Sequence, residues 1–205
     1  MNDSVLTPER ILAAAEDVLR RYGPGKATVV DVAQALGVSH GSVYRHFASK
    51  AALREAVLQG WLARSMAPLQ AIANSRTPPP ARLRQWFTAL RQTKRDNVLG
   101  DPELFATYSA LAAEAGDAIA EHKARMQQQI ASILAAGVAS GDFRPLDPPA
   151  AARALFDATA RFHSPGLSHL WDQPGEDAAF TQLLDLLLAG LAPAPAAPRR
   201  RKPAR

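Results

Sequence analysis

The chain has 205 residues, no cysteine and a formal net charge of +5. A disulfide framework, thiolate chemistry and a Cys-based zinc site are thereby excluded, and no apolar run reaches the ~20 residues that span a bilayer. The charge is uneven: residues 1–60 hold seven Lys/Arg against six Asp/Glu, residues 61–190 twelve against thirteen, and residues 191–205 five basic side chains and no acid.

Alanine and leucine dominate the composition, which favours helices because both lose little side-chain freedom there. Residues 1–9 carry Asp3 and Glu9 and lack the basic-then-apolar order of a secretory signal. A soluble, cytoplasmic protein is expected, and the absence of cysteine suits that compartment. The first helix is predicted over residues 7–22, with Thr7 as N-cap, Pro8 at the first position and Glu9 at the positive end. Ile11, Leu12, Ala15, Val18 and Leu19 recur along it at helical spacing, and Gly23-Pro24-Gly25 ends it.

Thr28 through Asp31 has the form of a capping box and opens a short helix to Leu36, after which Gly37 stands where a left-handed cap residue belongs. Ser39 caps a third helix reaching His46 or Phe47. Ser49 caps a fourth, which begins at Lys50 and runs to about residue 74 with a break or kink at Pro68. Further helices are predicted from Pro78-Pro79-Pro80, from Asp101, over residues 117–140, from Pro148-Pro149 to Phe162, and from Gly175 to Leu191. Two short helices joined by Gly37-Val38 describe a helix-turn-helix, and the fold class is all-α.

Val32, Ala33, Leu36, Val38, Val43 and Phe47 are spaced to bury against Ile11, Val18 and Leu19. His40, Gly41, Ser42, Tyr44, Arg45 and His46 are then left facing outward. That set suits phosphate and base-edge contacts in a major groove. The ordered string Thr28, Val32-Ala33, Leu36-Gly37-Val38-Ser39, Val43-Tyr44, His46-Phe47 and Ser49-Lys50, with Leu53 behind it, resembles the TetR family of bacterial regulators. The likeness continues more weakly from Gly141 to Leu155.

The resemblance implies a sequence-specific transcriptional repressor, released from a pseudo-palindromic DNA operator by a small, largely apolar inducer. It implies a DNA-binding domain over residues 1–53, a ligand-binding and dimerisation bundle over residues 54–191, and a tail over residues 192–205. The helix from Ser39 would be the recognition helix, with Ser39 itself among the DNA-binding residues and His40, Gly41 and Ser42 nearest the bases. Thr28, Tyr44, His46 and Lys50 would hold phosphates, the last beside a helix N-terminus. Arg45 would reach either guanine or the backbone, and Val30 departs from relatives that place a polar reader there.

For the C-terminal part the resemblance implies an inducer cavity. Trp61, Met66, Trp86, Phe87, Phe105, Tyr108, Met126, Phe156 and His163 are its candidate lining, with Tyr108, His122 and His163 as polar groups. Any one of these aromatics also fits ordinary core. Phe180, Leu183, Leu184, Leu187, Leu188 and Leu191 form a helical stripe that Leu186 widens, so the last helix needs a second partner beyond its own core. With the helix before Phe162 it would build a four-helix homodimer interface, as the family does.

No cofactor or metal is expected, since no two histidines have a ligand spacing, and no catalytic motif stands in the chain. Glu114, Asp117 and Glu121 read as a solvated helix face. A peripheral membrane protein lacks its basic amphipathic helix. The rival is a sequence-blind, nucleoid-type DNA binder working through Arg199–Lys202 and Arg205 in a Pro/Ala-rich tail of disordered composition. The near-neutral first 60 residues weigh against it, because little charge there leaves little non-specific affinity.

Overall fold

Hydroxyl side chains and glycines punctuate the N-terminal helices of the computed structural model, which describes residues 5–193. The basic run of the tail lies outside the described residues. Helix α1 (Pro8–Lys26) starts where the Thr7 hydroxyl accepts from the Arg10 N–H, and Gly23, at φ 74° and ψ 161°, breaks its helical path. Only glycine adopts that backbone without strain. In α2 (Val29–Leu36) the predicted capping box is complete, and Gly37 closes it at φ 67°. Helix α3 (His40–Tyr44) begins at the Ser39 cap and stops short of the predicted end. The His46 N–H turns to the Val43 carbonyl three residues back, the tightening common in a last turn.

Helix α4 (Lys50–Ala73) runs to about its predicted end and carries Pro68 inside, giving up one backbone hydrogen bond. Helices α5 (Pro79–Gly100), α6 (Pro102–Glu114) and α7 (Gly116–Ser140) follow. Asp101 caps α6, its carboxylate accepting from the Leu104 N–H at 3.0 Å. Helix α8 (Pro148–Ala158) ends before the predicted Phe162. The buried Thr159 hydroxyl lies 2.9 Å from the Leu155 carbonyl oxygen and 3.1 Å from that of Phe156, and 3-10 turns over Ala160–Phe162 and Pro165–Leu170 lead on to α9 (Glu176–Leu191).

The chain divides into two compact units. The first holds the described residues through Ala71 together with Ala89–Met126, and the second holds Ile72–Thr88 and the residues from Gln127 onward. In the first, Ile11, Val18, Leu19, Val32, Ala33 and Val43 form the predicted core, with Leu36, Val38 and Phe47 packed on its rim. Leu53, Leu58 and Leu62 of α4 join it, and so do Tyr108 and Leu111 of α6.

In the second unit Trp86 is wholly buried and its indole N–H donates to Gln129 Oε1 at 2.8 Å. The indole N–H of Trp171 donates to the Arg161 carbonyl at 2.8 Å, and the rings of Phe162 and Phe180 meet at 5.3 Å. Glu176, also buried, is paired with Arg161. Gly137 gives the Phe143 ring its place, since a Cβ there would stand 2.1 Å from Cδ2 of that ring.

Candidate nucleic-acid interface and effector region

Burial of Val43 fixes which side of the one-turn α3 faces water. His40, Gly41, Tyr44, Arg45 and His46 are exposed, and Ser42 is half-buried. The rings of His40 and Tyr44, four residues apart, meet edge to face at 6.4 Å. The Ser39 and Ser42 hydroxyls are hydrogen-bonded at 2.9 Å, and Ser39 Oγ also accepts from the Ser42 N–H. Ser39 is therefore occupied in capping, while the imidazole of His40 and the Tyr44 hydroxyl keep their polar atoms for outside partners. Tyr44 is 44% exposed, an unusual setting for a tyrosine with no water-side role.

Thr28 is exposed, and its hydroxyl donates to Asp31 Oδ2 at 2.7 Å. That bond, with one from the Thr28 N–H at 2.8 Å, holds the Asp31 carboxyl below its usual range. Lys50 opens α4, whose first turn is capped by Ser49 accepting from the Ala52 N–H at 3.0 Å. Val30 is 60% exposed on the first turn of α2, so an apolar side chain stands there facing water.

The nine candidate lining residues are divided between the two units. Trp61, Met66, Phe105, Tyr108 and Met126 lie in the first unit, and Trp86, Phe87, Phe156 and His163 in the second. His163 has its Nε2 3.2 Å from Thr159 Oγ1 and 3.1 Å from the Phe156 carbonyl, so that nitrogen is already satisfied. His122 differs: it is 4% exposed and neither ring nitrogen has a hydrogen-bond partner. A cavity of about 310 Å³ in the first unit is lined by Arg54, Leu58, Leu111, Glu114 and Asp117, among others, and by none of the nine.

Long-range polar contacts in the first unit have no counterpart in the sequence reading. Arg20 of α1 faces Asp101 at 3.7 Å, and Arg54 of α4 holds Glu114 at 2.9 Å, so both ends of α6 are tied to the helices around the recognition helix. Glu114 is thus a paired group, not simply a solvated one. Near the middle, Arg64 bonds Glu16 at 2.5 Å and reaches the Tyr108 hydroxyl at 3.5 Å. Trp61 stacks on Tyr108, with centroids 4.4 Å apart. Sequence separations of 44 to 81 residues leave no local signal for any of these.

On α9 the predicted stripe splits. Phe180, Leu184 and Leu191 are buried within the chain itself, Leu183, Leu187 and Leu188 are half-buried, and Leu186 is 71% exposed.

Residues 11–57 match the family described as bacterial regulatory proteins, tetR family, and residues 79–184 match the tetracyclin repressor-like C-terminal domain. The chain is 28% identical over 190 residues to the HTH-type transcriptional repressor KstR2 of Mycobacterium tuberculosis, covering 88% of this chain and 90% of that one. The structure of a TetR-family regulator from Mesorhizobium loti superposes with a TM-score of 0.68 at 20% identity, over 89% of this chain and 93% of the other. A structure solved as the molecular basis for control of antibiotic production by bacterial hormones gives 0.63 at 27% identity, over 93% and 100%. Among the described residues no helix is long and apolar enough to cross a membrane.

Proposed function

We propose, on the premise that this chain belongs to the tetR family of bacterial regulatory proteins, that it holds a two-fold DNA operator as a homodimer and leaves it when a small, largely apolar inducer binds. As a member of that family the chain is a sequence-specific DNA-binding repressor under ligand control. The finer reading rests on the outward face of α3, where His40, Tyr44, Arg45 and His46 stand free of the core. His40, Gly41 and Ser42 read base edges. Thr28, Tyr44, His46 and Lys50 hold phosphates, with Lys50 adding its charge to a helix N-terminus.

Residues 54–191 carry the effector and the dimer contact, and the protein works in the cytoplasm without a catalytic role. Control by bacterial hormones, attached to a structural relative at 27% identity, supports an effector of small-molecule size. The coupling runs through α6. Its Tyr108 and Leu111 share a core with Val43, and its two ends are held by Arg20 and Arg54. An inducer that displaces α6 shifts the recognition helix with it. A coupling of about 1–3 kcal/mol changes operator affinity roughly 5- to 150-fold.

Selection from random duplex DNA at about 0.15 M salt tests the operator reading. An inverted repeat with half-sites one helical turn apart is expected. Recovery of no preferred sequence would overturn it in favour of the sequence-blind alternative, and a single asymmetric site would overturn the two-fold reading. Leu186→Glu tests the dimer: its 71% exposure spares the protomer fold, so the expected result is more monomer in sedimentation with unchanged helicity. A wild-type sedimentation profile would place the interface elsewhere.

A further inference from the structure

Val30 is the second residue of α2 and is 60% exposed. Among the large apolar side chains of the described helices, only Leu186 on α9 is more exposed. Nothing in the helix itself asks for valine there. A β-branched side chain loses rotamer freedom in a helix, and an exposed first turn gains more from an acid or an alanine. Val29, Val32 and Ala33 turn inward to the core that also buries Val43 of α3, while Gln34, one turn after Val30, is exposed. Thr28, Val29 and Val32 line one small hollow together with Lys50 and Leu53. The first turn of α2 therefore lies beside the first turn of α4, which follows the recognition helix across residues 45–49.

A lone valine offers too little area for a protein partner. Within residues 28–50 Tyr44 is the other large hydrophobic side chain that is exposed, and His40, Arg45 and His46 beside it are polar or charged. This module is the one that matches the DNA-binding regulators, so duplex DNA is the partner on offer. An isopropyl group neither donates nor accepts a hydrogen bond, which removes phosphate oxygens and most of each base edge as its target. In the major groove one base-edge group is apolar, the C5 methyl of thymine. Contact between the two takes both out of water, and the other three bases offer nothing equivalent.

We propose that Val30 reads the methyl group of one thymine in each operator half-site, adding a base-specific contact from α2 to those of the recognition helix. This rests on the two-fold operator reading above and adds a specificity-determining residue to it. His40 and Ser42 offer hydrogen-bonding groups, whereas Val30 tells thymine from the other bases by shape and hydrophobicity alone.

The test uses the full chain and the duplex recovered by selection from random DNA. Its thymines are replaced by deoxyuridine, one symmetric pair of positions at a time, which removes only the methyl group. At one pair the wild type is expected to bind about fourfold more weakly per half-site, the worth of one buried methyl group. Val30→Ala should bind the thymine duplex more weakly and lose that sensitivity, so that the two changes are not additive. Selection repeated with Val30→Ala should lose its thymine preference at the same position. Val30→Thr, which keeps one methyl, should fall between the two proteins, and it serves for the same comparison where Val30→Ala binds too weakly to titrate. Helicity should be unchanged in both variants, because the side chain faces water. Deoxyuridine tolerated at every position, or a penalty of equal size in wild type and variants, would overturn the proposal and leave the operator reading standing. A selection that returned no inverted repeat would sink the operator reading, and this contact with it.

Discussion

Tyr108→Ala is expected to lower the unfolding free energy by about 3–5 kcal/mol, as large-to-small changes at aromatic core positions do. The side chain is 1% exposed, stacks on Trp61 at 4.4 Å and belongs to the same core as Val32 and Val43. Its removal leaves a cavity in the core that α6 shares with the helix-turn-helix. The hydroxyl contributes less. It stands 3.5 Å from Arg64, whose main partner is Glu16 at 2.5 Å, and burial together with the Glu16 charge holds it above its ordinary pKa. Tyr108→Phe should therefore cost about 1 kcal/mol or less. Denaturant titration measures both variants. Because α6 and the helix-turn-helix share one core, operator binding and helicity should be lost together on heating Tyr108→Ala. Operator binding that survived the melting of α6 would show the two to be separable, and the coupling through α6 would fall with it.

The second large effect is a loss of stability in mild acid, traceable to one residue. The His122 imidazole sits at about 4 in the folded chain, against an ordinary value near 6.5. As pH falls below 6.5 the unfolded chain takes up a proton that the folded chain refuses, so unfolding is favoured progressively until pH 4 is reached. The difference of roughly 2.5 units corresponds to about 3 kcal/mol, fully present at neutral pH and lost across that window. His122→Leu should remove this term, so the gap between variant and wild type should widen from pH 7 to pH 4 and then level. Carboxylates that titrate in the same range cancel in the difference. Parallel stability curves for the two proteins would mean that His122 is hydrated or partnered in solution.

Local chemistry made the DNA-binding half legible from the sequence. Thr7, Thr28, Ser39 and Ser49 cap helices by bonds that span three residues, and Gly23 and Gly37 take backbone angles that other residues avoid. The spacing of Ile11, Val18, Leu19, Val32 and Val43 likewise settles which face turns inward, and so leaves His40, Tyr44, Arg45 and His46 outside. Where α8 stops was not legible, because Thr159 reads as an ordinary helical residue until its hydroxyl is buried beside Leu155.

The effector half was legible as composition and not as a site. Helical spacing says that Trp61, Trp86, Tyr108 and Phe156 are buried, but not that they fall into two separate units. Nor does it say that His163 finds an oxygen for its ring while His122 finds none. The sequence by itself determined the family, the helical fold and which face of α3 turns outward, since caps, glycines and periodicity act within one or two turns. Only the tertiary structure decided which helices share a core with the recognition helix and which buried polar groups find partners. Those outcomes depend on contacts such as Arg20 with Asp101 and Arg54 with Glu114, made across dozens of residues, where packing of the whole unit selects the partner.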